Sequence, residues 1–234
     1  MTMGDGSLYC NTLRNGNPCG NYKMDIAHCF AQEPYLNHKR DIVNEIFDYD
    51  IPITTKHITN NRTGKKYMAR KFATRTHSRL SFIAKNIYID GKKRITDWVL
   101  DNITTEGLAY WWMDDGCLHM DKRENHGGGR IIWGLYGFPT EDVIKFQQWL
   151  DANVGVNLRL HFHQSGGPFL QRGISEGVKL LDSLKEYSVP CMDYKFDVGC
   201  HKRPYYNLMS SCYSTGHPIK DDDIVHPVRK ETHG

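Results

Sequence analysis

The sequence predicts an α+β fold of two similar αββαββα units, each with a four-stranded antiparallel sheet. A short motif that ends in aspartate and glycine occurs twice, at Asp5-Gly6 and at Asp115-Gly116. The same order of helices and hairpins follows each copy, which indicates an internal duplication of about 110 residues. Two hairpins per unit supply the four strands of each sheet, and the chain is long enough to bury such a core.

The second copy of the motif is the run LAYWWMDDG at residues 108–116. Thr104 or Thr105 suits the N-cap of a short helix, and Gly116 is placed to end it. Residues 108–113 are apolar on every side, so this helix must be buried against a large partner. Asp115 then stands at the helix C-terminus, against the macrodipole, where a metal ion or a nearby lysine has to compensate its charge.

The first copy is the run MGDGSLYC at residues 3–10, which aligns with residues 113–120. The alignment places Asp5 opposite Asp115 and Gly6 opposite Gly116. We therefore expect the two aspartates to take equivalent positions in the two halves of the fold.

The first half is predicted from alternating strand patterns, an apolar helical stripe and dense turn residues. Pro34 suits the first turn of a helix, and residues 60–64 suit the turn of a hairpin. The predicted elements are strands at residues 7–12 and 21–29, a helix at 34–47, strands at 53–59 and 65–76, and a helix at 77–88. Residues 92–103 lead from there into the second motif.

The second half repeats this order. Its predicted elements are strands at residues 117–122 and 130–138, a helix at 139–155, strands at 157–163 and 169–174, and a helix at 175–187. We predict that residues 1–100 and 101–210 form the two halves. Residues 211–234 lose the apolar pattern and are predicted to be a mobile tail.

The charge distribution predicts a polyanionic partner. Residues 51–94 contain twelve lysines and arginines against one acid, Asp90, so their net charge of +11 leaves −8 for the rest of the chain. A solvated surface usually mixes both signs, and a one-sided run of this size favours nucleic acid. The alternative is a basic surface that only keeps the protein soluble.

The composition limits the cellular compartments in which the protein is expected. The chain has no run of 18 apolar residues and no basic segment followed by an apolar one at its start, so neither a membrane span nor a signal peptide is predicted. Seven cysteines without a C-x-x-C pair favour thiols in a reducing, intracellular compartment, which does not distinguish mitochondria or other organelles from a bacterial or phage-infected cytoplasm. A zinc site of Cys200, His201, Cys212 and His217 is the weaker alternative.

Three segments together resemble the LAGLIDADG homing endonucleases of the single-chain, two-motif kind. Residues 108–116 stand in the register of the second motif, and residues 95–98 and 104–107 resemble the segments that precede it in the subfamily found in group I introns. Residues 189–195 resemble the closing Pro-x-Met-x-Tyr-Lys pattern of that subfamily. The resemblance covers nearly the whole chain except the tail.

The resemblance implies a monomeric, site-specific endonuclease that cleaves double-stranded DNA. The two motif helices would pack at the pseudo-twofold interface, and Asp5 and Asp115 would share divalent metals, Mg²⁺ or Mn²⁺. Gly4 and Asp114 would adjoin the metals, while Lys195 and its counterpart Lys93 would lie near the metal and water cluster as further catalytic residues.

The two sheets would form a DNA-binding saddle along the major groove. Candidate contacts to bases or phosphates are the polar side chains on the hairpins. They are Lys56, Arg62, Lys65, Lys66, Arg70, Lys71, Arg75, Arg159, His161, His163 and Gln171.

The first motif departs from the family pattern, since only four residues precede Asp5. Two interpretations are a fragment whose natural start lies upstream and a degenerate reading frame. In either case we expect Trp111 and Trp112 to be partly uncovered. The function alternatives are a non-cleaving intron maturase that binds host intron RNA and, less favoured, a protein-splicing element, for which neither a starting cysteine nor a terminal His-Asn pair is seen.

Overall fold

A computed structural model describes residues 1–12, 18–59, 64, 66–120, 128–164 and 166–198. The predicted tail, the alternative zinc ligands and the loop positions Arg62 and Lys65 lie outside these residues. No helix in this part of the chain is long and apolar enough to cross a bilayer.

The first half contains one antiparallel sheet with the strand order β1-β2-β4-β3. Residues 1–6 form turns that lead into it. Its elements are β1 (Ser7–Thr12), β2 (Pro18–Cys29), α1 (Glu33–Phe47), β3 (Thr54–Thr59), β4 (Lys66–Ala73) and α2 (Ser78–Ile87). A small ribbon of β5 (Tyr88–Ile89) and β6 (Lys92–Lys93) and the helix α3 (Asp97–Asn102) then connect the halves. Sequence patterns did not predict α3.

The second half repeats the arrangement, with the strand order β7-β8-β10-β9. The predicted α+β fold with two four-stranded antiparallel sheets is therefore confirmed, whereas the division at residue 100 stays a prediction. The elements are α4 (Thr105–Asp115), β7 (Gly116–Met120), β8 (Gly129–Gly134), α5 (Thr140–Val154), β9 (Arg159–Phe162), β10 (Pro168–Gly173) and α6 (Ile174–Leu184). A six-residue 3₁₀ helix, Pro190–Lys195, closes the described chain.

The long helices α1 and α5 bury the same set of positions, which shows how closely the halves correspond. The buried residues of α1 are Tyr35, Leu36, Lys39 and Val43, and those of α5 are Asp142, Val143, Phe146 and Leu150. Each α5 residue follows its α1 counterpart by 107 positions. On α1 itself Ile46 is 53% exposed, whereas Lys39 is fully buried.

The motif helix α4 begins at the predicted cap, where the Thr104 side chain accepts a hydrogen bond from the Gly107 N–H at 3.0 Å. All of residues 108–113 are buried. The expectation that Trp111 and Trp112 would be partly uncovered is wrong, because both are fully buried. They pack mainly inside their own half, as Trp111 stacks on Phe146 at 4.6 Å and Trp112 meets Trp133 edge-on at 5.3 Å.

We expect Phe146→Ala to destabilise the protein by about 3–5 kcal/mol, because it removes a buried ring from this aromatic cluster and leaves a cavity. Ile144→Ala, on the exposed face of the same helix, should cost less than about 1 kcal/mol. Urea unfolding followed by tryptophan fluorescence measures both. Equal losses from the two variants would contradict the burial pattern of α5.

Candidate active site

Asp5 lies beside the last turn of α4, where the first half meets the second: its N–H donates a hydrogen bond to Asp114 Oδ2 at 3.1 Å, next to Asp115. Asp115 is the last residue of α4, and its Oδ2 accepts a hydrogen bond from Trp111 Nε1 at 3.0 Å. Asp5 precedes β1, and its Oδ2 lies 3.5 Å from His28 Nδ1. Burial raises the pKa of Asp115 to about 7, and repulsion from Asp5 and then Asp114 contributes. Partial burial and the nearby Asp114 also raise the pKa of Asp5.

Lys93 binds the chain around Asp5. Its ammonium donates hydrogen bonds to the carbonyl oxygens of Gly4 at 2.9 Å and Gly6 at 2.8 Å, and lies 3.5 Å from that of Met3. Burial lowers the pKa of Lys93. The positive charge therefore stands at the end of the first motif segment, beside the aspartate.

Lys195 makes the corresponding contacts at the end of α4. Its ammonium donates to the carbonyl oxygens of Met113 at 2.5 Å and Asp114 at 3.2 Å. These are unpaired carbonyls of the last helical turn, so the lysine supplies the compensation that the macrodipole requires there. Burial lowers the pKa of Lys195, and attraction to Asp114 and Asp5 opposes that effect.

Gly4 lets the first motif segment approach α4 closely. A Cβ atom on Gly4 would lie only 2.2 Å from Asp114 Oδ2, so no larger residue fits without displacing that carboxylate. The Asp5 N–H donates to the same oxygen at 3.1 Å. Gly4 thus provides space beside the site, and Asp114 touches the backbone of Asp5.

The side chain of Asp114 is fully buried and surrounded by donors from α1. Its Oδ1 accepts hydrogen bonds from the Lys39 ammonium and from the Tyr35 hydroxyl, the latter at 3.0 Å. Burial alone would raise the pKa of Asp114, but the Lys39 ammonium, followed by smaller contributions from other neighbouring cations, lowers it overall. Sequence reasoning missed Lys39 and Tyr35. The available signal was a lysine four residues after Tyr35 within an apolar helical stripe.

The donor set fits a hard divalent cation at Asp5 and Asp115. Both side chains offer carboxylate oxygens, which Mg²⁺ and Mn²⁺ prefer. Burial, followed by repulsion from neighbouring carboxylates, raises the pKa of both groups, and a cation would offset both effects. Asp5, His28 and Asp114 also place ligand atoms within 4.8 Å of one another. However, the Lys39 ammonium already binds Asp114 and lies 3.1 Å from His28 Nε2, so a cation among those three would face a resident positive charge.

The open face of the first sheet, opposite the helices, carries Lys56 and Lys71. Lys71 alternates with the buried Phe72 on β4, and Lys56 pairs with Ala69, two positions from Lys71 on the same face. Lys71 Nζ lies 3.7 Å from Asp25 Oδ2 on this face. Lys23 and Tyr9, which were not predicted as contacts, pair across β1 and β2 on this face. The side chain of Lys66 is outside the described set.

Arg70 and Arg75 do not lie on that open face. Arg70 pairs across the sheet with the buried His28 and donates from Nε to Glu33 Oε1 on α1 at 2.8 Å. Strand alternation turns the Arg70 side chain towards the helices, so its predicted contact with DNA stays a prediction. Arg75 follows β4 in a loop, with its guanidinium over the Tyr49 ring at 4.8 Å.

The open face of the second sheet presents the predicted Arg159, His161 and Gln171. Arg159 pairs with Gln171, and the ring of His161 stacks on its cross-strand partner Phe169 at 5.5 Å. His163 lies just beyond β9, with its ring edge-on to Tyr136 at 5.6 Å. By the same alternation this face also carries two positions that were not predicted, His119 and Arg130, which are cross-strand partners.

A family comparison agrees with this geometry. The model of the LAGLIDADG DNA endonuclease family matches residues 1–180. The chain belongs to this family.

Curated relatives of the chain differ in length and name. RecA of Mycolicibacterium flavescens is 26% identical over 202 residues, which cover 82% of this chain and 44% of that protein. The chain thus spans less than half the length of the RecA proteins that it matches. DNA endonuclease I-ChuI of Chlamydomonas applanata is 24% identical over 218 residues, covering 84% of this chain and 91% of that protein. The cytochrome b mRNA maturase bI2 of Debaryomyces hansenii is 27% identical over 147 residues, covering 62% and 52%.

The fold has a counterpart among solved structures. The homing endonuclease I-WcaI, whose structure is bound to its DNA recognition sequence, has a TM-score of 0.68 and 22% sequence identity. The match covers 83% of this chain and 81% of that one. At this identity the likeness establishes the shared fold.

The raised pKa of Asp115 predicts a pH dependence for the metal-free protein. The carboxyl of the unfolded chain ionises near its ordinary pKa of 3.8, whereas the folded one keeps its proton up to about pH 7. Between these values the folded state binds more protons, so the contribution of Asp115 to stability is present at low pH and is lost as pH rises through 7.

Urea unfolding of the parent and Asp115→Asn from pH 5 to 8, with a chelator, measures this contribution. We expect Asp115→Asn to gain stability relative to the parent as pH rises. A stability difference that does not change with pH would contradict the assignment.

Proposed function

We propose that this chain is a site-specific endonuclease that hydrolyses phosphodiester bonds of double-stranded DNA with divalent metals. The observation that carries the proposal is the proximity of Asp5 and Asp115 at the boundary between the two halves, here called the seam, where Asp5 contributes to the raised pKa of Asp115. Each aspartate ends a motif segment, and a lysine binds backbone carbonyls of that segment. The seam lies between two sheets whose open faces carry basic and polar side chains. The family match and the I-ChuI relative support the same activity.

In this mechanism Asp5 and Asp115 would hold Mg²⁺ or Mn²⁺, and Gly4 leaves the space that the Asp114 carboxylate occupies beside Asp5. Metals bound there would activate a water and stabilise the leaving oxygen. Lys93 and Lys195 hold the ends of the two motif segments in place and add positive charge near the scissile phosphate. Because one chain supplies both aspartates, we propose that it acts as a monomer. The spacing of its cysteines favours a reducing compartment.

We expect the protein to cut DNA that spans the insertion site of its own gene when Mg²⁺ is present, and not when EDTA is. Asp5→Asn and Asp115→Asn should each slow single-turnover cleavage on the order of 100-fold or more, since each removes a charged metal ligand. Gel assays of cleavage, with binding measured in Ca²⁺, separate the steps. Binding without metal-dependent cleavage, unchanged in Asp115→Asn, would contradict the enzyme proposal.

That outcome would favour the second candidate function, assistance of RNA splicing, which the maturase relative supports. The basic open face suits either polyanion, because phosphate contacts do not depend on the sugar. A splicing assay with the intron that encodes the chain would test this function directly.

Lys56 and Lys71 are proposed to contact DNA phosphates. Lys56→Ala and Lys71→Ala should each reduce the slope of log Kd against log salt concentration by about one unit. Arg70→Ala is the matched control, because Arg70 is held by Glu33 on the helix side of the same sheet. Fluorescence anisotropy from 50 to 300 mM KCl gives the slopes. An equal reduction in Arg70→Ala would show that the assigned faces are wrong.

A further inference from the structure

Lys39 and Asp114 form a fully buried ion pair that the proposed cleavage mechanism does not use. Both side chains have no solvent exposure. Burying two charges is costly unless further hydrogen bonds satisfy them. Here the Tyr35 hydroxyl donates to Asp114 Oδ1, the Asp5 N–H donates to Oδ2, and Lys39 Nζ also lies within 3.1 Å of His28 Nε2.

The pair is present in only one half of the repeated fold. Lys39 stands 107 positions before Phe146, which occupies the equivalent buried place on α5 and stacks on Trp111. In the motif alignment Asp114 corresponds to Gly4, which has no side chain and leaves the space that the Asp114 carboxylate fills. The pair joins α1 of the first half, which carries Lys39, to α4 of the second half, which carries Asp114.

Two groups lie against Asp5, the Asp114 carboxylate and the His28 ring, and Lys39 contacts both of them. Asp114 holds the Asp5 backbone through the 3.1 Å hydrogen bond from its N–H. His28 approaches the Asp5 carboxylate with Nδ1 and faces Lys39 with Nε2. Oδ1 already accepts two hydrogen bonds and Oδ2 accepts one, so a metal ion at Asp114 would be limited to the remaining lone pair of Oδ2 and would share the carboxylate with the Lys39 ammonium.

We propose that Lys39 and Asp114 are a positioning pair that anchors Asp5 across the seam, and that Asp114 serves as this anchor instead of binding metal. The inference rests on the proposed role of Asp5 as a metal ligand. It assigns Asp114 and Asp115, although adjacent, to different tasks: Asp114 is neutralised by a lysine, and Asp115 is left for the cation.

Thermal unfolding of the metal-free protein at pH 8 distinguishes an anchor from a ligand. A ligand carboxylate without its metal only adds repulsion, so Asp115→Asn should leave Tm unchanged or raise it. Asp114→Asn and Lys39→Met should each lower Tm by about 10 °C, because each leaves the partner charge buried alone. The double variant Lys39→Met/Asp114→Asn should be more stable than either single variant.

An increase in Tm for Asp114→Asn like that for Asp115→Asn would overturn the proposal. So would a double variant that is no more stable than the single ones, including one that fails to fold. Neither of these Tm comparisons uses DNA or metal, so both test the positioning role of Lys39 and Asp114 even if the chain proves not to cleave DNA.

Positioning of Asp5 is read from its backbone amide in ¹H–¹⁵N spectra of protein labelled with ¹⁵N-aspartate. The signal is assigned by its loss in Asp5→Asn. We expect it to shift in Lys39→Met and to stay in place in Leu150→Ala, a control that removes buried side-chain volume on α5. An unmoved Asp5 signal in Lys39→Met would overturn the positioning role.

In the active protein, Lys39→Met should slow single-turnover cleavage about 10- to 100-fold, the usual cost of losing a group that orients a ligand, with DNA affinity in Ca²⁺ unchanged. Leu150→Ala, assayed below its Tm, should retain the parent rate. Parent-like cleavage in Lys39→Met would overturn the proposal.

Discussion

At the seam between the halves, three aspartates and the carbonyl ends of two chain segments bring negative charge into a largely buried space. Such a concentration is unfavourable unless cations face it. The fold brings three lysines to it from three different elements: Lys39 from α1, Lys93 from β6 and Lys195 from the closing 3₁₀ helix.

The lysines do not neutralise the aspartates equally. Lys93 and Lys195 donate hydrogen bonds to backbone carbonyls, and Lys39 forms an ion pair with Asp114. Burial makes the ionised forms of Asp5 and Asp115 costly, as their raised pKa values show, so without a cation part of their charge is lost to protonation. A buried seam with this residual charge suits a divalent cation, and the open faces on either side suit the polyanion that would bring a phosphate to it.

The two duplicated units share the same framework of strands and helices but differ in some of the side chains buried in it. Strand order and the buried positions of α1 and α5 are the same in both halves, because both sheets must be covered by a helix. At equivalent positions, however, one half has Lys39 and the other Phe146. In the second half the large ring completes an aromatic core around Trp111, whereas in the first half a charge in that place reaches the seam. The repeat is thus structurally symmetric and chemically asymmetric.

The sequence by itself determined the repeated hairpins, a helix cap at Thr104 or Thr105 and the α+β class, whereas the family resemblance implied the sharing of a metal site by Asp5 and Asp115 and the role of the two flanking lysines, which stay predictions. These depend on local patterns that a chain shows before it folds. Only the tertiary structure decided that Trp111 and Trp112 are covered by their own half, that Arg70 turns to Glu33, and that Lys39 and Tyr35 hold Asp114. A strand pattern shifted by one residue reverses every side chain, and a buried ion pair joins residues 75 positions apart that no local pattern connects.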